Sequence, residues 1–202
     1  MPEPVGMAGN AIKPGSQTMV KSDADGAIGM VVAELRAGRA VVIPTDTVYG
    51  LAVLPENVEL LFELKHRPPD KAVAVLVARA ADAGELFDPL PPTRRLMERF
   101  WPGALTIVQD GCGVRCPDHP LVRALAAEVG PITTSSANLS GQPTPHTAAA
   151  AAGAFGAVSL VIDGGRCQSP PSTVVEVTEA GLTVLREGAI SANAVRSVAG
   201  GG

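Results

Sequence analysis

Aromatic side chains are scarce in this 202-residue chain: four Phe, one Tyr and one Trp, 3% of the sequence. Alanine, valine and leucine must therefore fill the interior, and few residues remain to stack against the bases of a single-stranded nucleic acid. A basic surplus is missing too. Sixteen Lys and Arg face twenty Asp and Glu, a net charge of −4. That balance counts against a protein whose main task is to neutralise nucleic-acid phosphates. No uninterrupted apolar run approaches membrane-spanning length. Residues 1–20 contain Pro2, Pro4, Gly6, Gly9, Pro14 and Gly15 but neither a basic start nor an apolar h-region, so they read as a mobile tail and not as a secretory leader. One domain is expected over 21–202. Three cysteines, an odd number, suit a reduced, cytoplasmic setting. Cys112, Cys116 and His119 lack a fourth ligand nearby, and Cys167 is distant in sequence, so no metal site is read there. The phosphate-binding Gly-x-x-x-x-Gly-Lys-Ser/Thr loop and the Gly-x-Ser-x-Gly nucleophile elbow are both absent. None of His66, His119 and His146 has an evident acid–base partner.

What is present is a chain long enough for one substantial core, 46% apolar and patterned as alternating helices and strands. Ile28, Val31, Val32 and Leu35 fall on one helical stripe, which predicts a helix over 25–37 closed by Gly38. A buried strand follows over 40–43. Further helices are expected over 56–65, 79–87, 93–100, 122–129, 144–155 and 191–198. Strands are expected over 73–77, 105–109 and 160–163, with a hairpin of 173–177 and 182–186. Helices and strands in alternation, interrupted by a hairpin, predict an α/β fold with a mixed sheet.

Seven segments carry side chains suited to binding. Pro44-Thr45-Asp46-Thr47-Val48-Tyr49-Gly50-Leu51 places three side-chain oxygens between two apolar runs, where a ligand could sit, although many such turns are only turns. Lys65-His66-Arg67-Pro68 follows a helix whose inward stripe includes Lys65, with Lys71 close by. Cations there either serve a ligand or complement the helix C-terminus. Phe100-Trp101-Pro102-Gly103-Ala104-Leu105-Thr106 is a helix-to-strand turn that sets Thr106 near a strand start. Val114-Arg115-Cys116-Pro117 offers another cation. Thr133-Thr134-Ser135-Ser136-Ala137-Asn138-Leu139-Ser140-Gly141 leads toward a helix, where small hydroxyl and amide side chains either cap it or bind an anion. Ser172-Thr173-Val174-Val175-Glu176 and Leu185-Arg186-Glu187-Gly188 close the set.

In this order the segments resemble the motifs of the threonylcarbamoyl-AMP synthases, the family with the YrdC-like fold, over about 25–191. Ala72 and Glu176 depart from the family's usual proline and aspartate. The resemblance implies a single YrdC-like α/β domain. Its twisted mixed parallel/antiparallel sheet, with flanking helices, would surround a concave ligand cavity, in the short form without the extra C-terminal domain. It implies synthesis of L-threonylcarbamoyl-AMP from L-threonine, bicarbonate or CO2, and ATP. The product would pass to proteins that complete threonylcarbamoyladenosine in tRNA, with at most weak tRNA contact. Lys65 and Arg67 are the implied catalytic cations. ATP, with Mg2+ on its phosphates, falls to these two and to Lys71, Thr106, Arg115, Ser136, Asn138, Thr144 and Arg186. Threonine falls to Thr45, Thr134 and Ser172. Two other uses of the fold compete: a non-catalytic RNA-binding module, and a carbamoyl-transfer domain of the hydrogenase-maturation type, whose Cys-x-x-Cys modules this chain lacks.

Overall fold

The computed structural model describes residues 17–66, 68 and 73–201. In chain order the elements are β1 (Thr18–Lys21), α1 (Ala27–Arg36), β2 (Val41–Ile43), β3 (Gly50–Val53), α2 (Val58–Lys65), β4 (Ala74–Leu76), α3 (Pro91–Phe100) and β5 (Leu105–Gln109). They continue with β6 (Cys112–Arg115), α4 (Pro120–Val129), β7 (Ile132–Ser136), α5 (Ala148–Ala154), β8 (Leu160–Asp163), β9 (Thr173–Thr178), β10 (Gly181–Arg186) and α6 (Ala192–Gly200). All ten strands join one mixed sheet in the order β1-β8-β2-β3-β7-β4-β6-β5-β9-β10, the mixed α/β architecture expected.

Three apolar clusters fix the helices to this sheet. Val31, Val32 and Leu35 of α1 and Val122 and Leu125 of α4 pack with Val41, Ile43 and Ile132 on one face. Leu61 of α2 and Ala148, Ala151 and Ala152 of α5 pack with Val42, Leu51 and Val161. Leu96 of α3 and Val195 and Ala199 of α6 pack with Ile107, Val114, Val175 and Val177. Alternation along β5 sends Leu105 and Ile107 into that third cluster and leaves Thr106 and Val108 on the opposite, cavity side, as the two-residue period of a strand requires.

Four local expectations are corrected. The end of the tail expected over 1–20 is a strand, because Thr18–Lys21 pairs in parallel with Leu160–Asp163; residues 1–16 lie outside the described residues. Cys112–Arg115, with only Val114 and Arg115 read, as part of a motif, is a strand between β4 and β5. The segment read as a helix over 79–87 is a 3-10 helix, Ala80–Glu85, followed by Pro89 and the Pro91 that opens α3. The helix expected over 144–155 starts only at Ala148. Pro143 and Pro145 have no amide hydrogen to donate, and Thr147 becomes the N-cap, its hydroxyl accepting from Ala150 N at 3.3 Å.

Strand directions show how the sheet must curve. Thr45 and Ser136 follow or end β2 and β7, which run parallel to β5 and β9 by the pairing chain. Thr106 and Ser172 stand instead at the starts of β5 and β9. Groups from opposite strand ends nevertheless line one cavity, which requires a strongly twisted and coiled sheet.

Candidate active site

The cavity has a volume of about 190 Å³ and lies on the concave side of the sheet. Thr45, Thr106, Arg115, Thr134, Ser136, Thr144, Ser172 and Arg186 line it. Eight sequence-predicted residues, from six separated segments and the loop after residues 133–141, therefore converge. A larger open groove of about 640 Å³ lies elsewhere, along Val77, Asp118, Arg123 and Pro131. Its size does not make it the better candidate. There Arg79 is paired with Asp82 at 2.7 Å and Arg123 donates to Ala78 O at 2.9 Å, so both of its arginines are already engaged.

At the first motif, Thr45 Oγ1 accepts from the amides of Thr47 (3.1 Å) and Val48 (3.2 Å) and donates to Val48 O at 2.7 Å. That hydroxyl builds the turn and sets Thr47 beside Arg115. The Arg115 guanidinium is 5% exposed. It donates to Asp46 Oδ1 at 2.6 Å, Thr47 Oγ1 at 3.0 Å and Gly103 O at 2.9 Å. Burial lowers the pKa of Arg115 from its ordinary value, and the carboxylate of Asp46 opposes that shift. The Trp-Pro-Gly turn serves this network. A Cβ on Gly103 would come within 2.5 Å of Phe100 O, so only glycine fits where the Gly103 carbonyl meets Arg115.

The far wall is built by a second network. Thr106 Oγ1 and Ser172 Oγ are 2.9 Å apart. Arg186 donates to Ser172 O at 2.8 Å through Nη2 and at 3.2 Å through Nε. Gly188 lets the end of β10 close over Pro171 and Ser172, since a Cβ there would collide with Pro171 O.

Two predicted residues are held away from the cavity. The buried Lys65 ammonium donates to Ser136 O and, at 2.6 Å, to Asn138 O. The Asn138 side chain accepts from Ser136 Oγ and donates to Leu139 O and Gln142 O. Both shape the turn that presents Ser136 to the cavity. Arg67 and Lys71 lie outside the described residues. Four lining residues, Thr47, Val48, Tyr49 and Gly50, were in the quoted motif but not singled out, nor was Asp46. Their signal was present: polar and glycine positions inside a buried strand-turn-strand unit.

A family model for the Sua5, YciO and YrdC proteins, described as telomere recombination, matches residues 33–188. The chain belongs to that family. It is 35% identical over 198 residues to a Bacillus subtilis protein named threonylcarbamoyl-AMP synthase, which covers 87% of this chain and 57% of the relative. A Mycobacterium leprae relative, named a putative synthase of the same kind, is 38% identical over 193 residues, 86% of this chain and 88% of that protein. The crystal structure of Pyrococcus abyssi Sua5 complexed with L-threonine matches with a TM-score of 0.81 at 30% identity, over 91% of this chain and 61% of that one. This chain thus spans little more than half the length of the Bacillus and Pyrococcus family members. The α/β domain with its mixed sheet is the family's fold. No helix among the described residues is long and apolar enough to cross a membrane.

Proposed function

We propose that this chain makes L-threonylcarbamoyl-AMP from L-threonine, bicarbonate or CO2, and ATP, releasing pyrophosphate. One observation carries the reading: hydroxyls and cations from motifs scattered between Thr45 and Arg186 meet on a single cavity. Its volume of about 190 Å³ is below the ~300–1,000 Å³ of sites for drug-sized ligands. The enclosed part therefore suits the amino acid, and the nucleotide must extend along the open side. In this reading Thr45, Thr134 and Ser172 hold threonine. Ser136, on the turn braced by Lys65 and Asn138, faces the nucleotide with Thr106 and Thr144.

The threonine amine captures CO2 as a carbamate, losing one proton. A carbamate oxygen then forms a bond to the α-phosphorus of ATP as the bond to the pyrophosphate oxygen breaks. Both reactants are anions, so fixed positive charge matters more than a strong base. Arg115 and Arg186 supply such charge at the cavity, Arg67 and Lys71 are assigned to the same task, and Lys65 acts through the turn that presents Ser136. Among the described residues no three His, Cys, Asp or Glu side chains gather into a metal site, and Asp46 is already paired with Arg115. Mg2+ is assigned to the nucleotide phosphates. The product would serve proteins that transfer the threonylcarbamoyl group to tRNA.

Pyrophosphate release tests the reading. ATP with threonine should be nearly silent in CO2-depleted buffer, bicarbonate should switch release on, and chelating Mg2+ should switch it off. Serine, one methyl smaller, should lose about 1–3 kcal/mol in kcat/KM. Release that ignores bicarbonate would overturn the mechanism. Tight RNA binding without release would favour a binding module.

A further inference from the structure

The connection from β8 to β9 carries a role that the family motifs leave unassigned. β8 stands second in the sheet order and β9 ninth. At about 4.8 Å per strand spacing, a flat sheet would separate them by roughly 33 Å. The ten Cα steps from Asp163 to Thr173 reach about 33–36 Å when fully extended. A flat sheet would leave so short a connection no slack, so it must cross on the concave side of the curled one, where the span is shorter.

It is fastened near both ends. The Tyr49 hydroxyl donates to Gly165 O at 2.6 Å and accepts from Gly164 N at 3.1 Å. Tyr49 is itself fully buried and lines the cavity, and burial pushes its phenol pKa up to about 12, so it stays a neutral donor. Gly164 lies against the Pro44 ring, where a Cβ would fall 2.7 Å from a ring carbon. Cys167 N donates to His146 O at 2.9 Å, and Cys167 Sγ reaches Thr45 O at 3.6 Å. Beyond the exposed Gln168 the connection ends in Pro171 and Ser172, both on the cavity wall. Every fastening runs to a residue of the cavity wall or beside one.

We propose that residues 164–172 form a strap drawn over the cavity, and that Tyr49 is a positioning residue whose hydroxyl seats the strap and so sets the distance between Thr45 and Ser172. The consequence for threonine binding rests on the function proposed above; the seating of the strap does not. Tyr49→Phe removes both hydrogen bonds while keeping the ring. Gly164→Ala unseats the strap from the Pro44 side and leaves Tyr49 intact.

Two readouts separate the claims. Trypsin cleavage after Arg166, followed by mass spectrometry on the ligand-free full chain, reports strap opening. Loss of two neutral hydrogen bonds should speed it by about ten- to a hundredfold, and Gly164→Ala should act in the same direction. In steady-state kinetics the KM for threonine should rise about tenfold in both variants, while kcat and the KM for ATP stay within about twofold. A merely structural role would lower kcat and melting temperature together and leave no such split. Unchanged cleavage in both variants overturns the strap. Faster cleavage with an unaltered threonine KM overturns the positioning role. A wild-type protein that makes no product refutes the proposed function alone, since the cleavage experiment still reads.

Discussion

Arg115→Met offers a sharp test of how the cavity floor is held. The Arg115–Asp46 pair is 2.6 Å long, with side chains 6% and 13% exposed. Methionine fills much of the volume but leaves the Asp46 carboxylate without its cation, and leaves Gly103 O and Thr47 Oγ1 without a donor. Removing one partner of a buried pair costs about 3–5 kcal/mol. With a urea slope of about 2 kcal/mol per molar, the unfolding midpoint should fall by about 1.5–2.5 M. Asp46→Asn added to Arg115→Met removes the stranded charge and should recover most of that loss, because an apolar or neutral replacement of a whole buried pair is often close to neutral. The double-mutant cycle should therefore show strong coupling while pyrophosphate release stays abolished. A single-variant cost below about 1 kcal/mol, the range of a surface bridge, would refute the claim that this pair is desolvated. Strictly additive costs would refute it equally.

Gly188→Ala should destabilise the fold by about 1–3 kcal/mol, the usual cost of overpacking, and raise the threonine KM, because the new methyl displaces Pro171 and Ser172; a wild-type melting temperature and KM would show that this wall can yield. His119 supplies a pH test. Its Nδ1 is buried without a hydrogen-bond partner among the described residues, and burial lowers its pKa from 6.5, with Asp46 and Asp118 opposing. The unfolded chain then binds the proton more readily, so stability should fall as pH drops through about 6.5 and be unaffected by this group at pH 8. In urea titrations at pH 8 and 5.5, His119→Asn should lose less than the wild type; equal losses would exclude the effect.

The sequence made the helices legible wherever one stripe is buried, as in α1 and α4, because a 3.6-residue apolar period needs no distant partner. β1 was not legible. Its side chains are exposed or half-buried, so no apolar face marks it, and its register comes from β8 about 140 residues away. β6 was hidden because Gly113 interrupts a short run, and a strand that short is fixed by its neighbours β4 and β5. At the site, residue types revealed which segments converge but not which atoms face the ligand. Lys65 occupies the inward stripe as expected, yet its ammonium turns to backbone carbonyls. Asp46 and Arg115 are 69 positions apart, and an ion pair at that separation leaves no local pattern.

The narrow middle of the sheet bears on how the protein comes apart. β4 is three residues long and, among the described residues, is the sole sheet contact between the β1–β7 side and the β6–β10 side. Around it, Leu76 and Ala78 enter one apolar cluster while Val77 enters another. The cores of the two halves, the first and second clusters on one side and the third on the other, are thus stitched together by a single turn of side-chain alternation, and the tether from β8 to β9 binds the same two halves from the other side. Cooperativity becomes a property of that ring-like connectivity and not of one continuous interior. Heat or denaturant must melt both cores together as long as the ring stays closed, and the space it encircles keeps its shape until the whole chain lets go.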